Sequence, residues 1–179
     1  KGAGVEQCWG WVPRMAHNDK SAAAEAFSEK LNATPASGHE ADRFRAADDR
    51  LKSLSVASFA AIRALGDAGA EKDLPPEIAE ALECWCFLHD ERPASIATCA
   101  KLAADPDDLR LVGMSSLEYI PEEELAEVSR RVEGLDPEVA RTRSVAVAEV
   151  ASAMIEWLQA ALGLKRWAKE QRAAEAGSS

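Results

Sequence analysis

The chain has few of the residues that favour β-sheets. It contains one tyrosine and four phenylalanines among 179 residues, although 47% of its residues are apolar. Alanine makes up much of the apolar fraction, with 36 copies. Alanine has the highest helix propensity, whereas strands favour aromatic and β-branched residues. The composition therefore predicts an all-α fold, and the length predicts one domain, with or without an appendage.

Long apolar runs and an excess of positive charge are also missing. No run approaches the roughly 18 residues that a bilayer-spanning helix needs, so we expect no membrane insertion. Lysine and arginine number 21 against 31 aspartates and glutamates, which gives a net charge of −10. Such a surface repels phosphate and argues against nucleic acid as a partner. The chain begins at Lys1, which indicates a processed form or a fragment, and we expect a cytoplasmic location.

Motifs for catalysis or metal binding are absent from the sequence. No HExxH, GxSxG, Walker, dinucleotide-binding or EF-hand pattern occurs, and the histidines are isolated (His17, His39 and His89). The acidic clusters at 107–108 and 122–124 fall in first helical turns, where carboxylates stabilise the helix dipole. We therefore predict no enzyme activity, no cofactor and no metal, and keep an enzyme as a minor alternative.

The four cysteines are scattered along the chain (Cys8, Cys84, Cys86 and Cys99). Cys84 and Cys86 stand two residues apart in a helical pattern, which points their side chains to different faces. That spacing does not suit a metal pair, and His89 adds no complete ligand set. We expect reduced, partly buried thiols.

Two long helices are predicted, at 40–67 and 142–174, each with apolar or small residues spaced by three and four. The first series is Phe44, Ala47, Leu51, Leu54, Ser58, Ala61 and Leu65; the second is Val147, Val150, Met154, Trp157, Ala161, Leu164 and Ala168. Heptad spacing over about three repeats is typical of a short coiled coil, and it also occurs in helices that face the core of a plain bundle. The spacing therefore fits both a short coiled coil and a plain bundle.

Residues 73–141 are predicted to form a small bundle of short helices between these two arms. Pro75 and Pro76, Pro121, and Asp136-Pro137 mark helix starts, and Gly134 marks a helix end. Residues 1–39 are interpreted as an irregular arm followed by a short helix at 20–31, and 175–179 as a tail. Trp9 and Trp11 of the arm are candidates for insertion into a neighbouring protein.

Four arginines are the candidate partner-binding residues. Arg130 and Arg131 end one predicted helix, and Arg141 and Arg143 follow ten residues later, so that they can form a positive patch at one end of the molecule. In the alternative interpretation, Arg130 and Arg131 offset the helix dipole and pair with Glu127 or Glu133.

The order of features resembles the stalk and microtubule-binding tip of a dynein heavy chain over residues 58–160. Pro75 and Pro76 stand where that family opens its first tip helix, followed by Leu82-Glu83-Cys84-Trp85-Cys86. Lys101 to Asp105 matches a Lys-Leu-Leu-x-Asp stretch, and Ser116 to Pro121 matches a Leu-x-x-Tyr…Ile-Pro element. Asp136-Pro137 precedes Trp157 by the spacing of the family's Asn-Pro turn and returning tryptophan.

The resemblance implies an antiparallel coiled-coil-like hairpin with a small helical bundle between its arms. It implies a non-enzymatic module that docks on tubulin in microtubules, or on an axonemal protein, in the cytoskeleton or ciliary axoneme. The four arginines lie near places where the family puts basic contacts. The alternative function is a structural helical subunit of a larger assembly that does not bind microtubules.

Overall fold

The computed structural model describes residues 39–68, 74–89, 91–106, 109, 117 and 120–177. Within these ranges the chain forms seven α-helices and no strand, which confirms the all-α prediction. They are α1 His39–Ser53, α2 Val56–Ala68, α3 Pro76–Leu88, α4 Ile96–Leu102, α5 Glu122–Glu133, α6 Pro137–Arg141 and α7 Ala148–Gly177. The arm with Trp9 and Trp11, the helix at 20–31, the match at 116 and 118–119, and the last two residues of the tail lie outside the described residues.

The first long helix is two helices, so the prediction of one helix over 40–67 is wrong. α1 ends at Ser53, and the side-chain oxygen of Ser55 accepts a hydrogen bond from the Ser58 amide at 3.2 Å, as an N-cap residue does. The predicted series holds in α1, where Phe44, Ala47 and Leu51 are buried. In α2 the fully buried residues are instead Phe59 and Ile62. The break rotates the core-facing side of α2 relative to that of α1. Ser58, Ala61 and Leu65 are therefore only partly buried.

α1 and α7 pack side by side and antiparallel. A Cβ atom added at Gly163 would lie 2.6 Å from Glu40 Oε2, near the start of α1. Towards the end of α1, Trp157 Nε1 donates to Asp48 Oδ1 at 3.0 Å, and Arg50 Nη2 donates to Glu149 Oε1 at 2.9 Å. The residue numbers of the α7 contacts fall as those of the α1 contacts rise, so the two helices run in opposite directions.

α7 is the central helix of a bundle. Its first half is buried over most of its circumference, with Glu149 exposed, and the buried residues include several outside the predicted seam: Ala151, Ser152, Ala153, Ile155, Leu158 and Ala160. It also begins at Ala148 and not at 142, after the separate helix α6. A two-stranded coiled coil buries one seam of each helix. The burial of α7 well beyond a single seam therefore supports the plain-bundle alternative.

The short helices pack around α7 and do not gather beyond its end. The rings of Trp85 on α3 and Phe44 on α1 each lie 5.5 Å from the ring of Trp157, in edge-to-face geometry. α5 and α6 also contact α7, and α4 packs on α2 and α3. The predicted position of the 73–141 bundle at one end of a hairpin is thus not confirmed, because α3 meets α7 at the same level as α1 does.

Local sequence explains how the short helices begin. Pro76 occupies the first turn of α3, and the side chains of Ser95 and Asp136 cap α4 and α6 by accepting backbone hydrogen bonds. α5 has three glutamates in its first turn and two arginines in its last, which suits the helix dipole at both ends. No helix within the described residues is long and apolar enough to cross a membrane.

Candidate protein-interaction site

One edge of α3 carries three glutamates at a spacing of three residues. Glu77, Glu80 and Glu83 therefore lie along the same side of the helix. The opposite side holds the helix in the core through residues that are fully buried: Ile78, Ala81, Leu82 and Trp85. The acidic edge is the part of α3 that faces the predicted binding arginines.

Arg131 of α5 binds two of these glutamates. Its Nη2 donates to Glu83 Oε2 at 2.6 Å, and its Nε donates to Glu80. The Arg131 side chain is 17% exposed, so the three charges form a partly buried group. The hydrogen bond with Glu80, followed by that with Glu83, raises the pKa of Arg131 above its ordinary value. Arg131 therefore ties α5 to α3.

Arg143 closes the other end of the acidic edge by donating to Glu77. The pKa of Glu77 is lowered, first by a hydrogen bond from its own backbone amide and then by Arg143. Arg143 lies in the connection between α6 and α7, whereas Arg131 lies on α5. Two separate parts of the chain thus contact one edge of α3.

Arg130 and Arg141 pair with glutamates of their own helices. Arg130 Nη2 donates to Glu127 Oε1 at 2.7 Å, and its Nε donates to Glu127 Oε2 at 3.0 Å, which matches the alternative interpretation of this residue. Hydrogen bonding to Glu127 raises the pKa of Arg130. Arg141 donates to Glu138 in the same i to i+3 relation. Arg130 remains 73% exposed.

A shallow groove of about 620 Å³ lies between α3 and the end of α5. Pro76, Gly134 and Leu135 contribute apolar surface, and the remaining lining residues are Glu77, Glu80, Arg130 and Arg131. Gln159 of α7 holds the turn after α5 in place, because its Nε2 donates to the carbonyl oxygens of Val132 and Leu135 at 3.0 and 2.8 Å.

Glutamates neutralise the predicted arginines at this face and, in the case of Arg141, within α6 itself. The four predicted arginines are paired with five glutamates (Glu77, Glu80, Glu83, Glu127 and Glu138). The expected positive patch is therefore a network of ion pairs. The acidic edge was not predicted to be part of the site, although the spacing of three residues between its glutamates is visible in the sequence.

Within the described ranges no three histidine, cysteine or acidic side chains are grouped as a metal site requires. Cys84, Cys86 and Cys99 are buried free thiols, as expected. Burial raises the pKa of Cys84 to about 12, so its thiol stays protonated at neutral pH. His89 is buried and His39 is exposed at the start of α1.

Comparisons with models of protein families, with curated proteins and with solved structures find no match for this chain.

Proposed function

We propose that the chain is a non-enzymatic protein-interaction domain that binds an acidic protein surface at the groove between α3 and α5. The observation that carries the proposal is the convergence of Arg130, Arg131 and Arg143 on this face from two separate parts of the chain. The groove combines apolar surface from Pro76, Gly134 and Leu135 with charged side chains, and protein interfaces likewise combine apolar and polar groups.

The four arginines have different roles in this proposal. Arg131 is mostly buried between Glu80 and Glu83 and holds the groove together. Arg130, Arg141 and Arg143 are 73, 49 and 46% exposed. The glutamates paired with Arg130 and Arg141 are also exposed, whereas Glu77, the partner of Arg143, is 13% exposed. Ion pairs between exposed side chains contribute little to stability, so an acidic partner can displace Glu127 from Arg130 and Glu138 from Arg141 at little cost.

Microtubules are the partner that we propose for the first test. This choice rests on the resemblance to the dynein stalk tip, which also gives the proposed location at the cytoskeleton or axoneme. The antiparallel pairing of α1 with α7 supports this choice, because the resemblance implies an antiparallel hairpin. The contact of Trp85 with Trp157 differs from that expectation, because it holds α3 alongside α7. Because the face is nearly neutral, we expect weak binding that depends on exchange of ion pairs and falls with salt.

Co-sedimentation of the full chain with microtubules at low and moderate salt tests the proposal. The test variant carries Arg130→Glu, Arg141→Glu and Arg143→Glu, and Arg131 is left in place because of its structural role. We expect salt-sensitive pelleting of the wild type and at least a tenfold loss of affinity in the variant.

The matched control changes the same number of exposed cations outside the groove. It carries Arg43→Glu, Lys169→Glu and Arg172→Glu, near the ends of α1 and α7. Pelleting of this control should fall by less than threefold. Absence of wild-type pelleting rejects microtubules as the partner, and equal losses in the two variants reject the groove as the site.

A structural role in a larger assembly is the second candidate function. Its support is the end of α7, which continues for about two and a half turns beyond the half-buried Trp167 and Ala168 with every residue of 169–177 exposed. Such a projecting helix offers a surface to a neighbouring subunit. Light scattering during size exclusion tests this role: assembly that is lost when 169–177 is deleted supports it, and a monomer in both cases opposes it.

A further inference from the structure

The connection between α6 and α7 is a short basic segment that holds an exposed serine. Residues 142–147 form turns and bends, and Ser144 is exposed among them. Arg141 stands three residues before Ser144 and Arg143 stands one residue before it, whereas the connection contains no acidic residue. Two positive charges therefore precede this hydroxyl group in a chain whose net charge is −10.

Other hydroxyl groups of the described residues that follow a cation within three positions are bound at helix ends: Ser53, Ser55, Ser95 and Thr142. Ser53 and Thr142 donate to carbonyl oxygens in the last turns of α1 and α6. Ser55 and Ser95 accept the amide hydrogen bonds that cap α2 and α4. Ser144 lies between helices instead, and the two arginines before it are 49 and 46% exposed. Ser144 is therefore accessible to an enzyme together with its arginines.

Basic residues before a serine are a recognition signal for one class of protein kinases. Kinases distinguish their substrates partly by the pattern of charges around the hydroxyl group. A kinase of this class binds the arginines through carboxylates, which form strong charge-assisted hydrogen bonds with guanidinium groups. Exposed segments between helices are suited to such recognition, since no helix has to unfold when the enzyme binds.

We propose that Ser144 is a phosphorylation site for a protein kinase that recognises arginines before the serine. In this reaction the Ser144 oxygen attacks the γ-phosphorus of ATP, and the bond from that phosphorus to the β–γ bridging oxygen breaks. ADP leaves with the electron pair of that bond, and the serine proton passes to the catalytic aspartate of the kinase and then to solvent. A phosphate with a charge of about −1.5 to −2 replaces the neutral hydroxyl group.

The phosphate lies next to cations that the groove uses in the proposed function. Its charge offsets those of Arg141 and Arg143, and phosphate oxygens accept charge-assisted hydrogen bonds from guanidinium groups. The phosphate therefore competes with an acidic partner for these two arginines and repels that partner. We expect phosphorylation to weaken partner binding; this consequence rests on the proposed function, whereas the assignment of Ser144 does not.

Treatment of the full native chain with ATP and the catalytic subunit of cyclic-AMP-dependent protein kinase, which prefers arginine before serine, tests the site. Digestion after glutamate leaves residues 139–149 in one peptide, and fragmentation in a mass spectrometer locates the phosphate within it. We expect phosphate at Ser144 and at least about tenfold less at Ser53, Ser55 and Thr142, whose hydroxyl groups are bound at helix ends. The proposal fails if the native chain carries no phosphate at Ser144 or carries as much at the three other residues; neither outcome depends on a variant.

Paired variants separate recognition of the arginines from a general effect of charge. Arg141→Gln with Arg143→Gln should slow the phosphorylation of Ser144 by about tenfold or more. The matched control, Lys169→Gln with Arg172→Gln, removes two exposed cations from the end of α7 and should leave the rate unchanged. An unchanged rate in the first variant, or equal losses in the two, would contradict recognition through the arginines.

Microtubule co-sedimentation of the phosphorylated chain tests the effect on the groove. We expect its affinity to be about threefold or more below that of the untreated chain, whereas Ser144→Ala should bind equally well with and without kinase treatment. Equal pelleting of the two forms of the wild type rejects this effect, and absence of pelleting from both forms rejects the proposed function. The location of the phosphate is decided by the peptide in each case.

Discussion

At the residue scale, Trp157 lies where three helices meet, and its neighbours come from distant parts of the sequence. Its ring contacts Phe44 of α1 and Trp85 of α3, and its Nε1 donates to Asp48. Trp85 in turn donates to the carbonyl oxygen of Leu109 at 3.1 Å. A buried indole combines a large apolar surface with one hydrogen bond that must find an acceptor. The tryptophans therefore fix the positions of α1 and α3 against α7.

The substitution Trp157→Phe should lower the free energy of unfolding by about 2 to 3 kcal/mol, because it leaves a cavity and removes the bond to Asp48. Urea denaturation followed by circular dichroism measures the loss. Trp167→Phe is the matched control, since Trp167 is half-buried near the exposed end of α7. Its cost should stay below about 1 kcal/mol. Equal losses in the two variants would contradict the central role of Trp157.

At the scale of elements, the packing of α2 on α4 depends on a small residue. A Cβ atom added at Gly66 would lie 2.8 Å from the Cβ of Ala100. Neither atom can rotate away, so the helices must separate to admit a methyl group. At Gly163 the added atom would meet Glu40 Oε2, the far end of a flexible and partly exposed side chain. We therefore expect substitution by alanine to affect stability differently at Gly66 and at Gly163.

We expect Gly66→Ala to destabilise the protein by about 1 kcal/mol, since overpacking outweighs the gain in helix propensity. Gly163→Ala should be neutral or stabilising by up to about 1 kcal/mol, because the Glu40 carboxylate can turn into solvent. Thermal unfolding measures both changes: the melting temperature of Gly66→Ala should fall by a few degrees, whereas that of Gly163→Ala should stay the same or rise. A stabilised Gly66→Ala variant would show that α2 and α4 are not in close contact.

Helix termini could be predicted from the sequence because capping is local. Pro76, Pro121 and Asp136 mark the starts of α3, α5 and α6 correctly. The buried line through Phe44 and Leu51 was also visible. The same line was wrongly extended into α2, because the cap at Ser55 breaks the helix and changes its phase. The central place of α7 could not be read from a seam, since alanines on every face fit both a bundle and a coiled coil.

The candidate site could be predicted only in part, because only some of its contacts join residues that are close in sequence. The pairing of Arg130 with Glu127 follows from a spacing of three residues within one helix. The partners of Arg131 and Arg143 lie on α3, about 50 and 66 residues earlier in the chain, so only the packing of the helices brings them together. The arginines could therefore be identified from the sequence, whereas the glutamates of α3 that neutralise Arg131 and Arg143 could not.

At the scale of the whole molecule, ion pairs offset part of an acidic surface. The net charge is −10, yet arginines link α1 to α7 through Arg50, α5 to α3 through Arg131, and α7 to α5 through Arg166. Loss of carboxylate charge breaks these links while it also reduces the general repulsion. The pH dependence of stability reports which of the two effects is larger.

We expect stability to fall in acid, because the pKa values of Glu77, Glu127 and Glu133 are lowered in the folded chain. A lowered pKa gives stability that is fully present above the ordinary value of 4.5 and is lost as pH falls through the folded value. Urea unfolding between pH 7 and pH 3 measures the decline. Glu77→Gln removes one of these groups and should make the decline shallower, whereas Glu170→Gln, which removes an exposed charge at the end of α7, should leave it unchanged. A wild-type stability that rises on acidification would mean that repulsion across the acidic surface outweighs the ion pairs.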